Sequence, residues 1–461
     1  MSLKLDFLVA ILFLNYVLAE DDTILRCVFE SFRHGARGPL IGLGQKDFFG
    51  NEWPGAEELT NVGKRQHYLL GRKLRMRYRS FLASEFSDEE VYAFSTNYNR
   101  TVESALSHLQ GLYYQNENIG KKLTSQQMLS AYPPLVDFQE STKEKVKNLK
   151  DAALPDYSSA VPVYVMDFSQ RYFPLGGNCP TTKAFIDEKN KDEWSAMANT
   201  FLKKYASLLK DNFNIVDNKD LQTFHNVSLW VDTFLSNYWN NNDMSKLGSI
   251  SAQDILNDAL IFQRDQYIKY TFANKENYIM AKVASSAFFK DLLEYFDNRI
   301  KLDNEKKEEI YSEKIPKMKM FSGHDSSIAG QTVFLNMALG RDFSEYFIQY
   351  ATNYLYELRK KIDKTYIVEI YYNFKQIVSM PYDEFKEKIS KNIVSELIVS
   401  NFCNYTDENG KYEDISNLKI ATIVLAIVAV VMILIIGAII LFGSKLRVKS
   451  IFENDNTNTT E

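Results

Sequence analysis

Cysteine is scarce in this sequence, three in 461 residues, which excludes a small scaffold stapled by disulfides. A basic surplus is missing too. Lys and Arg number 54 against 59 Asp and Glu, a net charge of −5, so nothing argues for nucleic acid as a partner. There is no His/Cys/Asp spacing of a zinc site, no Walker-type glycine loop and no Gly-x-Ser-x-Gly elbow. No metal or cofactor is therefore called for. No internal repeat stands out, and the only biased stretch is the Asn/Thr-rich end of the chain.

The length suits one large domain or two of ordinary size. Lys4 precedes an apolar run from Phe7 to Leu14, and Val17-Leu18-Ala19 offers the residues a signal peptidase needs before Glu20. As a retained anchor the run is short and interrupted by Asn15, so residues 1–19 are expected to be a cleaved signal peptide. Near the other end, Ile420 to Phe442 is uncharged and apolar apart from Thr422 and Gly437, long enough for one transmembrane helix. Lys445, Arg447 and Lys449 follow it, which puts the tail 443–461 in the cytosol. The expectation is a single-pass type I membrane protein with everything between luminal or extracellular. The tail has neither Tyr nor a dileucine pair, so lysosome, digestive vacuole and cell surface all stay open.

What is present centres on Glu30 to Leu40. Ile24, Leu25, Cys27, Val28 and Phe29 read as a short buried strand, and Gly35, Gly38 and Pro39 end it near Arg33. An imidazole, His34, then lies between the guanidiniums of Arg33 and Arg37 at a strand's end. Two cations lower a histidine pKa, keeping the ring neutral and nucleophilic. The simplest reason for bearing that cost is an anion bound between the arginines.

Arg33-His34-Gly35-Ala36-Arg37-Gly38-Pro39 resembles the RHGxRxP signature of the histidine acid phosphatases. Leu59 to Tyr68 with Leu74 to Tyr78, Ser95 to Thr101, and Gly323-His324-Asp325 are similar to three further segments of that family, in its order. The resemblance runs from about Ile24 to about Cys403. It implies an α/β fold: a mixed central sheet flanked by helices, phosphoglycerate mutase-like, with an inserted, mainly helical cap. It also implies that His34 attacks phosphorus, that Arg33, Arg37, Arg100 and His324 bind the phosphate, and that Asp325 protonates the departing alcohol. Small phosphomonoesters would be the substrates and a homodimer is open. His-Asp rather than His-Ala-Glu at 324–325 points away from the inositol polyphosphate group and, with the single span, toward the lysosomal acid phosphatase type. A narrower lysophosphatidate or phytate phosphatase is the alternative within the class; an inactive membrane-tethered binding protein is the alternative outside it. Cys179 and Cys403 occupy places similar to a disulfide pair of the family, leaving Cys27 as a buried apolar filler.

Local patterns fit this outline. Thr60 or Asn61 can cap a helix to about Phe81, with Val62, Leu69, Leu70, Leu74 and Tyr78 inward and Lys64, Arg65, Arg72, Lys73, Arg75, Arg77 and Arg79 solvated. Val91 to Ser95 is a strand, Arg100 lies in the turn after it, and a helix follows through Val102, Leu106 and Leu112. Residues 140–313 show helical spacing, as at Trp194 to Leu209 and Ile279 to Leu293, and form the insertion between the two parts of the α/β domain, 20–139 and 314–415. Lys317 to Ser322 alternates as a strand, Asp325 or Ser326 caps a helix from Ser327, Tyr366 to Tyr372 is another strand, and Tyr382 to Val399 a final helix. His67 and His108 are expected to be packed in helices and His225 to be superficial. Asn226 and Asn404 head glycan acceptor sequences; so does Asn99, but a sugar there would obstruct the phosphate site, so it is expected to stay bare.

Overall fold

The computed structural model describes residues 23–404 apart from 41–45, 115–121, 132–146, 156–158, 167–190, 216–220, 274–277, 306–314 and 344. The apolar run forms β1 (Thr23–Arg33), followed by β2 (Val91–Ser95), β3 (Tyr164–Val165), β4 (Met318–Gly323), β5 (Asn353–Lys361), β6 (Tyr366–Tyr372) and β7 (Lys375–Pro381). They make one seven-stranded sheet in the order β3-β2-β4-β1-β5-β6-β7. β3, β2, β4 and β1 run parallel, and β5, β6 and β7 add an antiparallel half. Cys27 to Arg33 is buried without a break, as a strand in the covered, parallel half of a sheet must be.

Register brings the separate segments together. On β1 and β4, Arg33 lies opposite Gly323, and on β2 and β4, Ser95 lies opposite Ser322. Three parallel strands thus end level. The loops that leave them share one crevice at the carboxyl edge, where α/β sheets bind ligands.

Helix α1 (Asn61–Arg77) starts at Thr60, whose hydroxyl accepts from the Gly63 N–H. It stops at Arg77, short of Phe81, and its buried face is Gly63, His67, Gly71 and Leu74. Val62 and Leu69 point outward instead, 36% and 56% exposed. The reason is the partner, α2 (Asn99–Leu112). A Cβ on Gly71 would run into the carbonyl of His108, and one on Gly111 into that of Tyr68, so the helices cross at backbone distance on glycines rather than on aliphatics. Arg77 is not solvated either: its Nε and Nη2 donate to the fully buried Glu357 at 2.8 and 2.6 Å.

The middle of the chain contributes the short α3 (Ser125–Ser130), α4 (Lys191–Lys204), α5 (Ala206–Phe213) and α6 (Leu221–Asn240). After these come α7 (Ala252–Arg264), which continues as a π-helix over Asp265–Phe272, and α8 (Ile279–Glu305). Trp194 to Leu209 is therefore two helices, parted at Tyr205. Trp194, Phe201, Phe213, Phe224, Trp230 and Phe234 form an aromatic core there; burying each such ring contributes on the order of 2–3 kcal/mol. α8 packs on the sheet, with Phe288 5.0 Å from Phe29 and the Tyr295 hydroxyl donating to the Pro316 carbonyl at 2.8 Å.

Helix α9 (Asp325–Leu339) begins two residues before the expected Ser327, and His324 holds the cap position. The final helical stretch divides into α10 (Tyr382–Ser390) and α11 (Glu396–Asn404). β5 and β7 complete the antiparallel half unannounced by clear alternation. The described residues up to Cys403 belong to one compact unit. No helix among the described residues is long and apolar enough to cross a membrane. The expected signal peptide 1–19, span 420–442, tail 443–461 and Cys179 lie outside the described residues. Cys403 is buried and Cys27 is a buried free thiol.

Candidate active site

β1 ends on Arg33, and His34 follows with its N–H donating to the Gly323 carbonyl at 3.0 Å and its carbonyl accepting from Ala351 N–H at 3.1 Å. The loop is pinned from behind. Gly35 N–H donates to Ser104 Oγ on α2 and Ala36 N–H to Gln66 Oε1 on α1. Gly35 must be glycine, because a Cβ there would meet the backbone of Gly63.

His34 is 1% exposed. Its Nδ1 lies 2.8 Å from the Gly35 carbonyl. A carbonyl can only accept, so Nδ1 carries the proton and Nε2 keeps its lone pair. Burial lowers the His34 pKa well below the ordinary value, and Arg33, Arg100, Arg37 and His324 lower it further. Desolvation thus outranks the two flanking cations as the cause of neutrality.

Each arginine is held by a carboxylate. Arg33 is 1% exposed and places Nη2 2.8 Å from Asp325 Oδ2, while Nη1 donates to the Ile348 carbonyl at 2.7 Å. Arg37 meets both oxygens of Asp232 on α6, at 2.8 and 3.2 Å. Arg100, in the first turn of α2 rather than in the preceding loop, pairs with Glu57 at 3.0 Å. The Nε groups of Arg33, Arg37 and Arg100 are buried and have no acceptor among the described residues. A buried unmade N–H bond costs roughly 1–3 kcal/mol, and all three arginines are near enough to His34 to lower its pKa, so an oxyanion accepting from them would offset that cost.

Tyrosines line the same space. The Arg33 guanidinium stacks 4.4 Å over the Tyr350 ring and that of Arg100 4.6 Å over Tyr98. Tyr98 also meets His324 edge-on at 4.9 Å. His324, 4% exposed, sets Nε2 2.9 Å from Thr96 Oγ1. Burial, then Arg100, push its pKa down to about 3. Burial pushes the Asp325 carboxyl up, but Arg33, Arg37 and His324 outweigh it and hold it below its usual value. No group of three or more metal-ligating side chains occurs among the described residues.

All six residues singled out in the sequence, Arg33, His34, Arg37, Arg100, His324 and Asp325, lie together at this edge of the sheet. Asp232, Glu57 and Tyr350 were not anticipated, and Thr96, Tyr98 and Ser104 belonged to a motif but were given no role. Asp232 had a visible signal, a lone acid inside the apolar run from Val227 to Leu235. Of the remaining histidines, His67 and His108 are fully buried and His225 is half-buried in α6. Asn226 is also within α6, Asn404 ends α11, and Asn99 donates to Glu58 at 3.2 Å.

The description of the histidine phosphatase superfamily, branch 2, matches residues 24–373. The lysosomal acid phosphatase of Xenopus laevis is 41% identical over 107 residues, 23% of this chain and 24% of that protein. The match thus spans about a quarter of that relative. The lysosomal acid phosphatase of Rattus norvegicus aligns over 349 residues at 22% identity, 76% of this chain and 70% of that protein. Among solved structures, a phytase from Klebsiella sp. ASR1 superposes with a TM-score of 0.53 at 14% identity, over 81% of this chain and 95% of that one, a likeness of fold alone. The family match runs from the first residues of β1 through β6, and the chain belongs to branch 2 of the histidine phosphatase superfamily.

Proposed function

We propose that the chain hydrolyses phosphate monoesters through a phosphohistidine on His34. The observation that carries this is the trio of buried, unpartnered guanidinium Nε groups around a neutral imidazole whose Nε2 lone pair is free. Arg33, Arg37 and Arg100 would spread the charge of the three equatorial oxygens, with His324 as a further donor. The lone pair of His34 Nε2 forms the N–P bond as the P–O ester bond breaks, and Asp325 gives the leaving oxygen a proton. Water then attacks the phosphohistidine, giving up a proton to Asp325 and freeing phosphate.

Asp325 begins ion-paired with Arg33, which suits an anion more than an acid. A bound phosphate competes for that guanidinium. Each negative charge delivered to Arg33 weakens its hold on Asp325 and raises the carboxyl toward the range where it can carry a proton. Substrate binding and arming of the acid are then one event.

The segments outside the described residues complete the reading. A signal peptide over 1–19 and a span over 420–442 would place the phosphatase domain, with its insertion, on the luminal or extracellular side, in a lysosomal, vacuolar or surface membrane. A Cys179–Cys403 bridge and glycans on Asn226 and Asn404 accord with an oxidising lumen. The test is a secreted form truncated near Ser416, incubated with an aryl phosphate and with lysophosphatidate and phytate. Acid-labile phosphate on the protein and turnover lost in His34→Ala are expected. An intact, folded protein with no turnover at any acidic or neutral pH would remove the enzyme reading.

A further inference from the structure

Directly behind the phosphate cradle lie three titratable side chains that the reaction does not touch. Glu30 on β1, His67 on α1 and His108 on α2 are each fully buried, 0% exposed. His67 Nε2 lies 3.1 Å from the carbonyl oxygen of Arg33, the peptide immediately before the nucleophile. His67 Nδ1 lies 3.4 Å from His108 Nδ1, and His108 Nε2 lies 3.5 Å from Glu30 Oε2. Phe32 faces both imidazoles, with ring centroids 5.1 Å from His67 and 4.8 Å from His108.

Donor and acceptor roles along this row follow from its fixed end. The Arg33 carbonyl can only accept, so His67 Nε2 holds a proton. Burial keeps His67 neutral, which leaves its Nδ1 as an acceptor and makes His108 Nδ1 the donor. His108 is likewise kept neutral by burial, so its Nε2 accepts. At the far end Glu30 Oε1 takes a hydrogen bond from Asn353 at 2.8 Å, while Glu30 Oε2 and His108 Nε2 face each other at 3.5 Å, neither of them hydrogen-bonded to a described residue. Two lone pairs left facing in this way call for a proton between them, and a slight approach by a protonated Oε2 would close the link to His108 Nε2. The four groups then point one way: Glu30 to His108 to His67 to the Arg33 carbonyl.

We propose that Glu30, His108 and His67 are a positioning relay that orients the Arg33–His34 peptide, and through it the nucleophile, by delivering a hydrogen bond to the Arg33 carbonyl. The role rests on the phosphohistidine reading above. Removing the Glu30 proton leaves two protons for three links. Either His108 Nε2 faces a carboxylate with no hydrogen between them, or both imidazoles change tautomer and the bond to Arg33 is lost. The groups that face Glu30 are His108 from α2 and Asn353 from β5, and its strand neighbours Met320 and Leu355 bring no charge. Burial pushes the Glu30 carboxyl up to about 8, so the link breaks on the alkaline side of neutrality.

The test uses the wild-type chain beside His67→Leu, His67→Gln and Glu30→Gln, with thermal melts to establish folding. His67→Leu should lower kcat by about 10- to 100-fold with KM little changed, the penalty expected of a slightly misplaced reacting group. The amide of His67→Gln can still donate to the carbonyl and should recover most of that loss. Glu30→Gln donates to His108 at every pH and should remove a fall in kcat that the wild type shows near pH 8. A folded His67→Leu with wild-type kcat, a Gln variant no better than Leu, or an unmoved alkaline limb would each overturn the relay while leaving the phosphatase reading intact. NMR of the labelled imidazole nitrogens needs no turnover: His67 protonated on Nδ1 at pH 6 would overturn the relay even in a chain that hydrolyses nothing.

Discussion

Two pairs of buried histidines flank the end of β1, His34 with His324 and His67 with His108, and they are neutral for different reasons. His34 and His324, in front, are discharged by burial together with the cations Arg33, Arg37 and Arg100. His67 and His108, behind, are discharged by burial with no arginine side chain contributing. The front pair has cationic N–H groups near it that lack acceptors; the back pair is set in an uncharged row whose one open contact, His108 Nε2 facing Glu30 Oε2, a single shared proton would complete. Neutral imidazole alone therefore does not mark a reactive centre. What marks it is neutrality maintained beside unspent positive charge, because only there does a nucleophile meet groups able to stabilise the charge it creates.

The comparison breaks most sharply at Asp325. Asp325→Asn removes the proposed proton donor of the front cluster and should cut turnover of an alkyl phosphate by about 10²- to 10⁴-fold. An aryl phosphate with a good leaving group should lose much less. Equal losses in kcat for both substrates would deny Asp325 the proton-donor role.

A smaller effect is expected one layer out. Asp232→Ala leaves the Arg37 guanidinium buried without its partner, and breaking such a pair costs about 3–5 kcal/mol. Urea unfolding should report the loss of stability, and KM should rise about tenfold as Arg37 leaves its place, worth roughly 1.4 kcal/mol of binding. An unchanged KM would mean that Arg37 holds its position by other contacts.

The gentlest probe is pH. A histidine with a lowered folded-state pKa takes up its proton first in the unfolded chain. Stability therefore falls as pH drops below about 6.5, by about 1.4 kcal/mol per pH unit for each such ring. For His67 and His324 that window extends down to about 3. Glu30 works oppositely: its raised value lets the unfolded chain ionise first, so its share of stability is lost as pH rises from about 4.5 toward 8. Thermal melts from pH 7 to 5 should slope downward, and His108→Asn, removing one ring of the back pair, should flatten the slope. A slope that ignores the substitution would mean that His108 titrates normally in the folded chain.

Much of the front cluster was legible in the sequence because its information is local. Arg33, His34 and Arg37 share one strand end, and His324-Asp325 follow another, so chemistry and position are written in adjacent letters. The back row was not legible. Glu30, His67 and His108 are 37 and 41 residues apart along the chain, and only the glycine crossing of α1 and α2 brings the two histidines together. That crossing also misled the helix reading, since Gly71 and Gly111 carry no side chain to signal a buried face, and Val62 and Leu69 took that place. Arg77 was read as solvated because nothing near it in sequence announces Glu357, 280 residues away and contributed by β5. β5 and β7 escaped because charged residues interrupt their alternation, as Glu357 and Arg359 do in β5.

Asp232 lies on α6, between β3 and β4 in the chain, yet it grips Arg37 and also accepts the N–H of Leu40. On the same helix Asn237 donates to Asp47 and the Ser236 hydroxyl meets that of Tyr350. The helical segment that carries α6 is thus tied directly to the loop after β1. Chimaeras that exchange it with a relative's to alter substrate choice should forfeit the arginine's anchorage unless an acid is transplanted to the equivalent turn, so selectivity and catalytic competence in this chain are inherited together.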